Sequence, residues 1–272
     1  MIKLYCIPGG GTPGATFYKW TSKLSKKAEI IVLEYPGRGI RKKEPSFDTV
    51  EETAYDMYEK IKSDIKENKY MLLSSCTGSY VEYELYSLIA KNGLPIPERM
   101  FVFSSESPHS ELYKGRDYIS SENKDVLLGN YVSFFKKANI LFPEKAAVCY
   151  VDALIKIDAA GKSFPERSVL SAYGALDFEQ EMMIDFADET VKMLADDWLQ
   201  ARRYTEQNKD RSPVSCPITF VYGTDDTSFN EKNIAEWKNL AAGGFELIQA
   251  EGDHEIMINS PIRCMEIVSE YL

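Results

Sequence analysis

Short apolar runs alternate along this chain with stretches whose apolar residues recur at helical spacing. Lys3 to Ile7 predicts a first strand and Ile30 to Tyr35 a second. Phe17, Tyr18 and Trp20 open a helix between them. Val50, Ala54, Met57, Ile61 and Ile65 share one helical face, preceded by Asp48 and Glu51 in the spacing of a capping box. Tyr70 to Leu73 predicts a third strand, which passes through small residues into a helix from Tyr80 to Ile89. Arg99 to Ser104 predicts a fourth. Strand and helix alternate to this point, the pattern of a mainly parallel sheet with helices on both faces.

From about Leu112 to Gln207 the alternation stops. Ser121 caps a helix carrying Val126, Leu127, Tyr131, Phe134 and Phe135, and further helical stretches are expected at Cys149–Ala160, Ser168–Phe178, Phe186–Leu194 and Asp196–Tyr204. The strand pattern resumes at Cys216–Tyr222 and Phe245–Ile248. Ile262, Met265, Val268 and Leu272 then mark a terminal helix. The expected organisation is an α/β core in two parts, residues 1–111 and 208–272, interrupted by a helical insertion at 112–207. An insertion between two strands, at the edge where the strands end, reads as a lid over a substrate site.

Composition narrows the function. A formal net charge of -10 argues against broad nucleic-acid binding and against attraction to anionic membranes. No apolar run reaches the length of a membrane span. The first residues are broken too early by Pro8 and Gly9 to act as a signal peptide. Five scattered cysteines without a Cys-x-x-Cys pair suggest neither a zinc site nor a disulfide framework. A reduced, cytoplasmic setting is expected.

The candidate chemistry gathers at the strand ends. Ser74-Ser75-Cys76-Thr77-Gly78 occupies the five places of a G-x-S-x-G nucleophile elbow, with Cys76 at the nucleophile position. Taken alone, a cysteine in such a turn is ordinary packing. The chain has two histidines, His109 and His254. His254 follows the last strand, and Asp225 and Asp226 follow the strand before it. In a parallel sheet all these loops lie on one edge, and nucleophile, acid and base then come in the chain order of an α/β-hydrolase. Either aspartate fits the acid position. After the first strand, Pro8-Gly9-Gly10-Gly11-Thr12-Pro13-Gly14 reads equally as an oxyanion or phosphate cradle, since glycines let backbone N–H groups approach a ligand, and as a plain flexible turn.

These motifs resemble those of the type II thioesterases, stand-alone α/β-hydrolases that work beside nonribosomal peptide and polyketide synthases. The family's opening Cys-x-Pro, glycines and following Trp are matched by Cys6-Ile7-Pro8-Gly9-Gly10-Gly11 and Trp20. Its Pro-Gly-Arg-Gly-x-Arg and Glu-Pro are matched by Pro36 to Arg41 with Glu44-Pro45. Further matches are Glu84, Ser104, Ser107-Pro108-His109, Asp197-Trp198, Gly223, Asp226 and His254. The nucleophile departs from the family's Ser, the Gly-His before it is Ser74-Ser75, and the lid is longer. The resemblance implies hydrolysis of acyl or aminoacyl thioesters presented on the phosphopantetheine arm of a carrier protein, with no other cofactor and no metal. It also implies an oxyanion hole from the backbone N–H groups of Gly10 and Thr77. Thr77 stands at a helix start, where N–H groups favour developing negative charge. Carrier domains are acidic, so Arg38, Arg41, Lys42 and Lys43 form a candidate docking surface on this acidic chain.

Three readings follow. The first is a carrier-directed thioesterase with a Cys-His-Asp triad. The second is an acyltransferase on the same residues, because a thioester acyl-enzyme stays reactive toward amines. The third is a non-catalytic α/β-hydrolase homologue that only binds, consistent with the altered elbow motif.

Overall fold

Six parallel strands form one sheet. They are β1 (Ile2–Ile7), β2 (Ala28–Val32), β3 (Tyr70–Ser75), β4 (Met100–Phe103), β5 (Ile218–Gly223) and β6 (Phe245–Ala250). Their order in space is β2-β1-β3-β4-β5-β6. The computed structural model describes residues 1–12, 14–110, 193, 196–207, 211–226 and 231–272. The labelled helices are α1 (Tyr18–Leu24), α2 (Val50–Ile61), α3 (Gly78–Lys91), α4 (Glu231–Leu240), α5 (Ile256–Asn259) and α6 (Pro261–Ser269). This is the α/β-hydrolase layout expected from the alternation.

Side-chain alternation on the strands divides the core. Leu4 and Cys6, Met71 and Leu73, and Phe101 and Phe103 bury one face with Phe17, Trp20, Cys264, Met265 and Val268. The alternate positions, among them Tyr5, Leu72 and Ser74, are equally buried. α3 packs on β1, β3 and α2. Its Tyr80, Val81, Tyr83, Leu85, Tyr86 and Ile89 are all buried, so it is enclosed on more than one side.

Several boundaries differ from expectation, each for a physical reason. The second strand ends at Val32. Leu33 still donates to the Cys6 carbonyl at 2.8 Å, but the chain then turns at Pro36 and Gly37. The N-cap of α2 is Thr49, not Asp48: its Oγ accepts the Glu52 N–H at 3.1 Å, and the Glu52 carboxylate accepts from the Asp48 N–H at 3.2 Å. α2 stops at Ile61, and Ile65 is buried instead in a separate single turn, Asp64–Lys66. α4 had no counterpart in the apolar pattern. Only Asn233, Trp237 and Leu240 of its ten residues are buried, too few to mark a face.

The chain divides into two units, Met1–Ser110 with Arg203–Leu272, and Glu111–Arg202. The sheet belongs to the first. The helices expected between 121 and 194 lie outside the described residues, apart from residue 193. Residues 196–206, which include Asp197-Trp198, are helical. No helix among the described residues is long and apolar enough to cross a membrane.

Candidate active site

β3 delivers Cys76 at the edge where all six strands end. Cys76 has φ 46°, a left-handed conformation that costs a non-glycine residue about 1–3 kcal/mol. Its neighbours hold it there. The Cys76 N–H donates to the Phe103 carbonyl at 2.9 Å, and the Ser105 hydroxyl donates to the Cys76 carbonyl at 2.7 Å. Ser79 hydrogen-bonds the same Ser105 hydroxyl, and the Trp237 indole N–H fixes the Ser105 carbonyl at 2.9 Å. Both backbone groups of the strained residue are thus satisfied, and the thiol is held out at the tip.

The first loop closes over this tip. A Cβ on Gly9 would stand 2.8 Å from Ser75 Oγ and 3.3 Å from Cys76 Cβ, and one on Gly78 would stand 2.5 Å from the Pro8 carbonyl oxygen. Only glycine permits this approach from either side. Gly10 is buried in that loop. Thr77 caps α3 without a side-chain cap bond, and neither its N–H nor that of Gly10 has an acceptor among the described residues. The helix start therefore keeps donors available beside Cys76.

The loops after β5 and β6 are joined to one another. Thr224 N–H donates to the Ala250 carbonyl and Asp225 N–H to the Gly252 carbonyl, both at 2.8 Å. A Cβ on Gly223 would lie 2.2 Å from the Gly252 oxygen, so the two turns touch through backbone alone. His254 is carried at the end of this join. Its Nδ1 lies 3.0 Å from Asp226 Oδ2 and its Nε2 3.5 Å from Cys76 Sγ. The Asp226 side chain is fully buried, whereas that of His254 is 30% exposed. Burial alone would lower the His254 pKa. The hydrogen bonds to Asp226 and Cys76 outweigh it and hold the imidazole well above its ordinary value. Asp225 is exposed and does not share this contact.

The sequence-derived residues Cys76, Asp226 and His254 are therefore brought into one chain of contacts. His109 is exposed, with its backbone N–H on Ser107 Oγ at 3.2 Å, and takes no part. Cys6, Cys216 and Cys264 are buried, and burial pushes the Cys216 and Cys264 thiols up to about 12 and that of Cys6 well above its usual range. Among the described cysteines, Cys76 alone is partly exposed. No group of His, Cys, Asp and Glu side chains among the described residues is arranged to hold a metal.

The expected basic surface changes character. Arg38 is buried with its guanidinium over the Tyr35 ring at 4.6 Å. Arg41 binds Glu44, Asp56 and the Glu34 carbonyl, and its side chain is only 12% exposed. Both arginines brace the loop after β2. Only Lys42 and Lys43 of that cluster are exposed.

Sequence reasoning matched Ser104 to a family position without giving it a role, and missed Ser105 and Glu82 as supports beneath this site. Glu82 lies in α3, fully buried, where Ser74 hydrogen-bonds its Oε2 and its Oε1 has no partner among the described residues. Its signal was present in the spacing: residues 82, 86 and 89 fall on one helical face, and Tyr86 and Ile89 are core.

A family model described as a thioesterase domain matches residues 2–271. The gramicidin S biosynthesis protein GrsT of Aneurinibacillus migulanus is 22% identical over 271 residues, covering 100% of this chain and 89% of GrsT. The thioesterase PikA5 of Streptomyces venezuelae is 20% identical, covering 93% of this chain and 74% of PikA5. Among solved structures, RedJ, the thioesterase from the prodiginine biosynthetic pathway in Streptomyces coelicolor, superposes with a TM-score of 0.70 at 21% identity, covering 100% of this chain and 90% of RedJ. At that identity the likeness bears on the fold.

Proposed function

The chain belongs to the thioesterase domain family, whose members hydrolyse thioesters, and from that premise we propose that it is a type II thioesterase. In this reading it clears acyl or aminoacyl groups from the phosphopantetheine arm of a carrier protein in nonribosomal peptide or polyketide biosynthesis. The relative GrsT, a gramicidin S biosynthesis protein, supports a biosynthetic pathway, and PikA5 supports the thioesterase activity. The observation that carries the mechanism is His254 bridging Asp226 and Cys76 at 3.0 and 3.5 Å.

Cys76 is the nucleophile, His254 the acid and base, and Asp226 the group that orients the imidazole and supports its charged form. The Cys76 thiolate attacks the thioester carbonyl carbon, and the oxyanion forms against the N–H groups of Thr77 and Gly10. Collapse breaks the bond to the pantetheine sulfur, which takes the proton from His254. Neutral His254 then removes a proton from water, the hydroxide adds to the acyl-enzyme, and the Cys76 sulfur leaves as the free acid forms. No metal or bound cofactor enters these steps.

The sulfur at position 76 favours a second reading beside the first. Acyl transfer from pantetheine to Cys76 exchanges one thioester for another, so the acyl-enzyme remains reactive toward an amine. One experiment separates the alternatives. A carrier domain bearing an acyl-pantetheine arm is incubated with the protein, with and without amine acceptors, and both Cys76 and the released product are followed by mass spectrometry. An acyl adduct on Cys76 with release of free acid, both absent in Cys76→Ala, is the expected result. Amide in place of acid supports acyl transfer. No adduct and no release would leave a binding protein and defeat the enzymatic reading.

A further inference from the structure

The row of strand ends places a residue between nucleophile and acid to which no role has yet been given. Cys76 follows β3, Ser104 follows β4, and Asp226 follows β5. Adjacent strands are about 4.8 Å apart, so β3 and β5 end about 10 Å from one another. The His254 imidazole spans that gap, with Asp226 at Nδ1 and Cys76 at Nε2. It therefore crosses the end of β4, where Ser104 stands. Cys76 N–H donates to the Phe103 carbonyl and Ser104 N–H donates to the Val221 carbonyl at 2.8 Å, which ties this residue to the strands on both sides.

Ser104 has two unusual properties at this point. It is 1% exposed, and its hydroxyl has no hydrogen-bond partner among the described residues. Its backbone also has φ 44°, a conformation that glycine adopts without strain. A buried hydroxyl without a partner is costly, and so is a left-handed serine. A glycine here would remove both costs, yet the chain carries a hydroxyl. Orphaned polar atoms and strained residues of this kind gather at working sites.

We propose that Ser104 is a positioning residue for the proposed triad: its hydroxyl oxygen lies toward the carbon edge of the His254 imidazole, between the two engaged nitrogens, and its dipole stabilises the ring when it carries the proton. A hydroxyl rotates without moving heavy atoms, so it can serve the imidazolium and release the neutral ring within one cycle. The inference rests on the triad reading for its place in catalysis, but not for its effect on His254. Among the described residues, Asp226 and Cys76 are titratable groups hydrogen-bonded to the His254 ring. Nearby, Asp253 is bound to the Glu255 N–H and to Asn259, Glu106 to Ser110, and Glu236 to Ser107. A substitution at Ser104 leaves all of these unchanged.

The test is Ser104→Gly, with Ser104→Ala as a second variant. Glycine suits φ 44°, so the folded protein should be at least as stable as the parent. Iodoacetamide labelling is followed at the Cys76 peptide as a function of pH, which reads the Cys76–His254 pair without any substrate. Loss of this weak contact to the charged ring should move the acid limb of the labelling profile upward by about half a pH unit, and lower the hydrolysis kcat of an acyl-pantetheine thioester by about threefold with KM unchanged. A labelling profile that coincides with the parent's in both variants would overturn the proposal, as would a loss confined to thermal stability. If the parent hydrolyses no thioester but the profile still moves, the positioning role stands and the enzymatic reading fails.

Discussion

The loop edge of the sheet and the α3–β3 interface beneath it each bury a carboxyl group, and the two are treated in opposite ways. Asp226 at the edge is fully buried but meets a histidine whose charge it supports. Glu82 in the interface is fully buried against the Ser74 hydroxyl, with its other oxygen unpartnered among the described residues. Desolvation raises the Glu82 pKa to about 8, and the Ser74 hydrogen bond only partly opposes this. Burial thus favours the neutral form of Glu82 at pH 7. In the proposed mechanism the carboxyl group with a cationic partner serves the chemistry, while the one with a hydroxyl partner carries a pH-dependent cost. The same isosteric exchange, acid to amide, should separate them.

The largest effect is expected at the edge. Asp226→Asn keeps the shape and removes the charge that holds the His254 imidazole well above its ordinary pKa. Thioester hydrolysis should fall by about 10³-fold or more, by analogy with the acid of other triads. Thermal stability near pH 7 should change little, because no buried charge is left unpaired. A variant with unchanged turnover would remove Asp226 from the mechanism and break the comparison.

Glu82→Gln should do the reverse. The sign follows from linkage. The ordinary carboxyl titrates at 4.5 and the folded one at about 8. Stability is therefore fully present below about pH 4.5, and it is lost as pH rises through about 8, where the unfolded chain holds fewer protons than the folded one. Glutamine cannot ionise, so the variant should lose less thermal stability between pH 6 and 9 than the parent while retaining turnover. Melting curves across that range provide the measurement. Parallel slopes in the two proteins would show that Glu82 does not titrate in the window.

The comparison also marks what the chain revealed in advance. Cys76, Asp226 and His254 were legible because each follows a strand, and parallel strands bring their ends together whatever lies between them. The choice of Asp226 over Asp225 was not, since adjacent turn residues differ only in which one the β5–β6 join turns inward. Ser104 was matched to the family but given no role, and Ser105 was passed over, because serine at a strand end is ordinary turn chemistry. The Ser105 contact depends on the strained Cys76 carbonyl, and the role proposed for Ser104 on how the strand ends line up, neither of which local sequence shows. The arginines after β2 read as a surface because the chain does not show that Asp56, on α2, comes back to meet Arg41. Glu82 was half legible. Its place on the core face of α3 could be counted, but its partner lies on another element.

Ser74→Ala gives the smallest effect and resolves the interface most finely. The Ser74 hydroxyl lowers the Glu82 pKa, so it favours the charged carboxylate over the neutral acid. Its removal should therefore cost about 1 kcal/mol where Glu82 is neutral, and more, up to about 3 kcal/mol, where Glu82 is charged. Denaturant unfolding at pH 6 and pH 9 should show the difference between parent and variant widening with pH. The same substitution made in Glu82→Gln should cost a similar amount at both pH values, because the amide has no charge to support. A cost that stays constant with pH in the parent background would mean that the hydroxyl does not distinguish the two forms of Glu82. The pH sensitivity of the interface would then come from burial alone, and the contrast with Asp226 would rest on partner charge, with no contribution from hydrogen bonding.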